Sequence, residues 1–384
     1  MFIEQSVAAI TPRDHLVLCG AGAAGAGRCP RRRARRQAAA AAPAWLGGDQ
    51  GEQVMRFVRL LSIGLVGLAA LAAPAGQARA QAPADCPRGA LDARYCDRDG
   101  DMVADTPTDA RQLVDPPVLV FAYTPVEDPA VYRRVWQGFM DHLAQVTGKR
   151  VQFFSVQSNA AQIEAMRAGR LHVTGFNTGS NPLAVNCAGF VPFAMMASRD
   201  GAFGYEMEFI VHRDSPIQRM EDLRGRTVAF TAETSNSGYK APSALLAQSY
   251  GLQAGRDFRP AFSGRHDNSV IGVANKDYEA AAVANSVMFR MFERNAVDRT
   301  LIRSIYKSAS FPTTGYGMAH NLTPALQAKI REAFFSYNWE GTDLLREFQN
   351  TQPPQEKFIP ITYAEHWKVV REIDAAMEVS YTCR

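Results

Sequence analysis

From Pro117 onward the chain alternates short apolar runs with amphipathic segments, the rhythm of strands exchanged with helices. Val118-Leu119-Val120-Phe121-Ala122-Tyr123 reads as a buried strand. Val131 to Val146 follows as a helix with Val135, Phe139 and Leu143 on one face. Val151 to Phe154 predicts a second strand, Ala160 to Ala168 a helix, and Leu171 to Thr174 a third strand containing His172 as a packed residue. Glu208 to Arg213 and Thr227 to Phe230 read as further strands around a helical turn at 221–226. Val270 to Ala274, the apolar run Ala280 to Ala284 and an extended stretch from Ser304 to Met318 continue the pattern. Pro324 to Phe335, Thr342 to Phe348 and Tyr363 to Val379 predict helices. Strands alternating with helices imply βαβ units, and the order fits an α/β protein of two doubly wound lobes between which the chain crosses twice. Ligands of such sheets sit beyond the carboxyl ends of the strands, which marks Tyr123, Thr124, Phe176, Asn177 and Thr178 as candidates.

The stretch Thr234-Ser235-Asn236-Ser237-Gly238-Tyr239-Lys240-Ala241-Pro242 follows the strand at 227–230 and leads into helical sequence from Ala241 to Tyr250. A strand, a polar turn and a helix start make a place for an anion, because first-turn amides have no intrahelical partners and carry the positive end of the helix dipole. Ser235, Asn236 and Ser237 add side-chain donors, Gly238 permits close backbone approach, and Pro242 suits a first helical turn. An ordinary Ser/Asn helix cap is the competing explanation.

Composition changes the picture mainly at the N-terminus. With 384 residues, 47% of them hydrophobic, the chain can bury a large core. The formal charge of +4 is misleading, since residues 81–384 hold 32 Lys/Arg against 34 Asp/Glu. A net of −2 gives no global attraction for nucleic acid. Residues 1–54, with an arginine run at 31–36, read as an extension outside any domain. Residues 55–80 read as a cleavable export signal: Met55 to Arg59 is basic, Leu60 to Ala73 apolar, and Ala78-Arg79-Ala80 the cleavage motif. That apolar run is shorter than the roughly 20 residues of a membrane-spanning helix. A periplasmic protein beginning near Gln81 is therefore expected.

Residues 81–115 form a Cys/Asp-rich segment. Cys86, Cys96, Cys187 and Cys383 remain after export, an even number that suits disulfides but permits three connectivities. Cys86–Cys96 would close a small loop, and Cys187–Cys383 would tie the tail to the body. Asp97, Asp99, Asp101 and Asp105 surround a glycine turn as in the opening of a calcium loop, yet Thr108 stands where the closing glutamate belongs. A structural Ca²⁺ competes there with a solvated acidic turn, and no other cofactor is expected.

Several blocks in order carry a specific resemblance: "VEDPAVYRRVWQGFMDHLAQVTGKRV", "AQIEAMRAGRLHV", "GYEMEFIVHRDSPIQRMEDLRGRTVAF", "TSNSGYKAP", "DFRPAFSGRHDNSVIGVANKDYEAAAV" and "IYKSASFPTTGYGM". Across about 116 to 350 the chain resembles the phosphate/phosphite/phosphonate-binding proteins of ABC importers. The resemblance implies a type II periplasmic binding protein, with a first lobe over 116–207, a second over 208–314, and 315–384 completing the first. It implies a monomer that captures a small phosphorus oxyanion and hands it to the membrane subunits of an ABC permease. Its Ser-Thr-Ser-Gly turn and later histidine map onto Ser235, Asn236, Ser237, Gly238 and His266, with Asn236 replacing threonine. The acids that clamp an amine in aminoalkylphosphonate binders map onto Ser286 and Thr314, so a ligand without an amine is favoured: phosphite, methylphosphonate or phosphate. Phe176 occupies a frequent tyrosine position and is expected to form an apolar wall.

Two alternatives remain. Ser235 or Ser237 with His266 and Asp267 contains the residue types of a hydrolytic triad, although adjacent His266 and Asp267 are poorly placed for one and no G-x-S-x-G elbow accompanies the serines. A binding protein for a different organic oxyanion is the other.

Overall fold

The computed structural model describes residues 86–383, so the residues read as extension, export signal and cleavage site lie outside the described residues. In chain order the elements are β1 (Val118–Ala122), α1 (Pro129–Val135), α2 (Gln137–Thr147), β2 (Arg150–Phe153), α3 (Asn159–Arg167), β3 (Val173–Phe176), α4 (Asn181–Ala188), β4 (Phe190–Ala197) and β5 (Tyr205–His212). They continue with β6 (Thr227–Phe230), α5 (Ala241–Tyr250), β7 (Arg259–Phe262), α6 (His266–Ala274), β8 (Ala280–Ala284), α7 (Asn285–Glu293), β9 (Ile302–Phe311) and β10 (Gly315–Ala319). The chain ends through α8 (Pro324–Ser336), α9 (Asp343–Phe348), β11 (Lys357–Pro360), α10 (Tyr363–His366) and α11 (Lys368–Ala376).

Two mixed sheets organise these elements into two α/β lobes. One has the order β11-β4-β10-β3-β1-β2 and the other β7-β6-β8-β5-β9. In each, the parallel pairs are the βαβ units: β1 with β2 and β3, β6 with β7 and β8. The strands that carry the chain between lobes run antiparallel: β10 and β11 against β4, β5 against β8 and β9. The chain leaves the first sheet after Ala197, enters the second at Tyr205, and returns between Phe311 and Gly315.

Departures from the sequence expectations have local causes. The extended stretch 304–318 is two strands in different sheets, because Pro312 has no amide for a ladder and the chain turns there through Pro312-Thr313-Thr314. The single helix expected over 131–146 is interrupted at Trp136, whose fully buried indole packs between Phe121 and Phe139. The third strand begins at Val173, not Leu171. His172 precedes it, buried as expected, and its Nδ1 accepts the Val120 amide at 3.0 Å. Helix α4 and strand β4 lie in a stretch without clear apolar periodicity, 181–197, and both are almost wholly buried.

Each lobe has its own core. Trp136, Phe139, Tyr316, Phe334 and Phe358 form an aromatic cluster under the first sheet, and Phe209, Val228, Phe230, Val270 and Val283 lie at the centre of the second. Disulfides join Cys86 to Cys96 and Cys187 to Cys383, so the small N-terminal loop is closed and the tail is fastened to α4. Among the described residues no helix is long and apolar enough to cross a membrane.

Candidate functional site

Between the lobes lies a cavity of about 40 Å³ lined by both sheets' strand ends. A single water needs roughly 10–15 Å³, so the space suits a compact ligand rather than an extended one. Tyr123, Asn177 and Thr178 enter from the first lobe, Ser235, Asn236, Ser237, His266 and Ser286 from the second, and Thr313 and Thr314 from the returning crossover.

The second lobe presents helix starts to this space. After β6 the chain reaches Ser235, whose Oγ accepts the Gly238 amide at 3.1 Å, and a π-helical turn at Asn236–Lys240 runs directly into α5. The helical run thus begins at Asn236 rather than at Ala241. Helix α6 begins at His266, and α7 at Asn285, next to Ser286. Three helix N-termini aimed at one cavity supply positive potential without a free cation.

His266 is 4% exposed, and its Nδ1 accepts the Ala284 amide at 3.1 Å. That acceptor role puts the ring proton on Nε2, which lies 3.4 Å from Ser235 Oγ. Burial lowers the imidazole pKa to about 4, and the nearby Glu127 opposes the shift only in part. His266 is therefore a neutral donor at neutral pH. Tyr205, which sequence reasoning missed, takes a hydrogen bond from Asn236 Nδ2 at 3.3 Å, and burial raises its phenol pKa so that it stays protonated.

Arg290 is the one charged side chain among the described residues lining the cavity. It is already matched: its Nη2 lies 3.2 Å from Glu127 Oε2 and 3.1 Å from the Tyr132 hydroxyl, and its Nε 3.4 Å from Glu347 Oε1. Arg294 bonds both glutamates as well, completing a network of two arginines and two carboxylates that spans the lobes. Its charges cancel. Arg290 escaped the sequence reading because nothing near it in the chain distinguishes it from an exposed helix cation.

On the opposite side the lobes meet backbone to backbone. A Cβ placed on Gly179 would stand 2.4 Å from the Thr234 carbonyl oxygen and 2.4 Å from the Asn236 amide. Lys240 Nζ donates to the Gly179 carbonyl at 2.9 Å and pairs with Asp374 at 2.8 Å, both side chains being buried. Asn159 Nδ2 bonds Thr234 Oγ1 at 2.7 Å across the same seam.

Most predicted site residues thus converge, and three do not line the cavity. Phe176 is fully buried and packs edge-on against Phe190 in the first-lobe core, because β3 extends to it and turns its ring into the sheet's packed face. It is not a ligand wall. Thr124 is buried and accepts the Asn177 amide at 3.2 Å, so it positions that loop from behind. Gly238 serves the turn: a Cβ there would lie 1.9 Å from Thr231 Oγ1. The triad also fails to assemble, since a backbone amide occupies His266 Nδ1 and Asp267 accepts instead from the Asp128 amide at 3.1 Å. Of the four N-terminal acids, Asp97, Asp99 and Asp101 bring carboxylate oxygens within 4.8 Å of one another. Asp105 is drawn away by Arg98 at 2.9 Å, while Asp97 and Asp101 brace the turn through the Met102 and Val103 amides at 3.2 and 3.0 Å.

Residues 121–367 match the family described as the phosphonate ABC transporter periplasmic substrate-binding protein. The chain belongs to this family. It is 24% identical over 229 residues to the phosphate-import protein PhnD of Mycolicibacterium smegmatis, spanning 57% of this chain and 71% of that protein. It is 26% identical over 207 residues to the phosphonates-binding periplasmic protein of Escherichia coli, spanning 53% of this chain and 61% of that one. The chain thus spans less than two thirds of the E. coli protein. In fold it is similar to PhnD1 from Prochlorococcus marinus, solved in complex with methylphosphonate, with a TM-score of 0.61, 16% identity, and coverage of 69% of this chain and 99% of that chain. Family members are type II periplasmic binding proteins, substrate-binding components of ABC transporters, and the mixed two-lobe fold seen here is theirs.

Two consequences can be measured. Gly179→Ala should hold the lobes apart at the 234–236 turn, at a cost of about 1–3 kcal/mol for an overpacked contact. Ligand affinity should fall roughly five- to a hundred-fold by calorimetry while the lobes stay folded, and unchanged affinity would show that this seam does not govern closure. The second concerns His266, whose folded pKa lies below its unfolded one. Between about pH 6.5 and 4 the unfolded chain binds the extra proton, so this residue's share of stability is present above that window and lost as pH falls through it. His266→Gln should flatten the stability–pH slope there by up to about 3 kcal/mol in total, read from denaturant midpoints. An identical slope in wild type and variant would contradict the buried neutral ring.

Proposed function

We propose that this protein is a periplasmic solute-binding protein that closes its lobes around a small phosphorus oxyanion lacking an amine, and delivers it to the membrane subunits of an ABC permease. The observation that carries this reading is the convergence of Ser235, Ser237, His266 Nε2 and the Tyr205 hydroxyl with the three helix starts in a cavity of small volume. Hydroxyl, imidazole and helix-terminus donors suit an anion whose charge is spread over several oxygens.

Ser286 and Thr314 both line the cavity, and no carboxylate is among its described lining residues. An ammonium group would therefore lose its hydration without gaining a counter-charge, which favours phosphite, methylphosphonate or phosphate over aminoalkylphosphonates. Methylphosphonate is the ligand in the P. marinus complex. A binding role without turnover accords with a serine that has no general base: His266 Nε2 carries its proton towards Ser235 rather than accepting one. A monomer is part of this reading, and a single chain supplying both faces of the cavity supports it. Its place in the periplasm rests on the family and on the export signal at 55–80.

Calorimetry of the mature protein against phosphite, methylphosphonate, phosphate and aminoethylphosphonate tests this reading. Methylphosphonate should bind more tightly than aminoethylphosphonate. Ser235→Ala, Ser237→Ala and His266→Ala should each weaken binding by about 1.5–3 kcal/mol, or roughly ten- to a hundred-fold. Wild-type affinity in all three folded variants would place the ligand elsewhere.

A further inference from the structure

The cavity that favours an anion also contains a buried acceptor with nothing to accept. Asn236 is 2% exposed, borders the cavity, and spends its Nδ2 on the Tyr205 hydroxyl; its Oδ1 has no donor among the described residues. Thr313 Oγ1, also on the cavity, is likewise buried and unpartnered. An amide oxygen beside a fully deprotonated oxyanion meets only lone pairs, and a buried acceptor left so is destabilising. A ligand that retains one acidic proton presents the missing donor.

The charges around Asn236 point the same way. From β5, Tyr205 faces it as a neutral phenol, while Glu206 accepts from Asn285 Nδ2 at 3.2 Å. From α6 comes His266, a neutral donor, and from just beyond β1 the buried phenol of Tyr123. Lys240, on the same helical turn, is matched by Asp374 from α11, and Arg290 from α7 by Glu127 and Glu347. Among the described residues no cation is left over for a second negative charge.

We propose that the seat selects the singly charged, protonated form of its phosphorus oxyanion, with the ligand's P–OH donating to Asn236 Oδ1. This rests on the oxyanion reading above and adds which protonation state is bound. No covalent step is involved: the ligand enters and leaves with its proton. Asn236 is a specificity-determining residue: its amide oxygen can only accept, whereas a threonine hydroxyl at this position could donate to an oxyanion.

Titration calorimetry across about pH 5.5 to 8.5, above the range in which His266 protonates, separates the possibilities. Methylphosphonate affinity should be greatest at the acid end and fall by about tenfold per pH unit beyond the ligand's second ionisation. Phosphite, whose second ionisation is more acidic, should begin to decline at lower pH, so the midpoint follows the ligand and not the protein. Methanesulfonate has the same charge and shape as the methylphosphonate monoanion but no acidic proton. It should bind at least about tenfold more weakly at the acid end and show no pH dependence. In Asn236→Thr the preference for methylphosphonate over methanesulfonate should shrink several-fold. Affinity that is flat or rises through the ligand's ionisation, a midpoint common to both phosphorus ligands, or methanesulfonate binding as well as methylphosphonate would each overturn the inference. Failure of every phosphorus oxyanion to bind at any pH would overturn the oxyanion reading itself, and this inference with it.

Discussion

The contact on which the rest depends is the approach of Gly179 to the 234–236 turn, backbone against backbone. It fixes how near the donors on the first lobe come to the helix starts on the second. Lys240 binds the Gly179 carbonyl and Asp374 together, and the Arg290–Glu127 network bridges the far side of the cavity. Buried ion pairs of this kind add little net stability, but losing one partner costs about 3–5 kcal/mol because a charge is left behind. Their effect is therefore to make the closed register unique: a small slip would strand two buried ions at once.

Within that frame the seat has no uncompensated cation among the described residues, and oriented donors make one unnecessary. A free arginine would pay desolvation on closure and would bind many anions alike. Oriented amides, hydroxyls and one imidazole proton instead ask for a particular arrangement of oxygens. Arg290 still contributes, by pinning Glu127 and Glu347 of the first lobe to a helix of the second, and its charge is absorbed there. The same economy accounts for the neutral His266: a backbone amide holds one ring nitrogen so that the other presents its proton to the cavity.

Much of this was legible in the sequence because it is local. The strand at 227–230, its polar turn and the helix from 241 stand together in the chain, so their chemistry is visible without a fold. The two lobes followed from the alternation, and His266 from resemblance. What was hidden is set by contacts between distant residues. Tyr205 reads as an ordinary core aromatic, and Arg290 as an exposed helix cation, until the fold places Glu127 beside the latter across 163 residues of sequence. Phe176 failed in the opposite way: it is the immediate neighbour of Asn177, and only the true end of β3 shows that the ring turns into the core while the amide turns to the cavity. The disulfide partners were open in the sequence for the same reason, since Cys187 and Cys383 meet only once the tail returns to α4.

Where the ligand sits is the most direct test. A crystal structure of the mature protein with methylphosphonate should show phosphonyl oxygens within hydrogen-bond reach of Ser235 Oγ, Ser237 Oγ and His266 Nε2, with Gly179 against the 234–236 turn. Ligand density outside this cavity, or inside it without contact to any of those three atoms, would contradict the account.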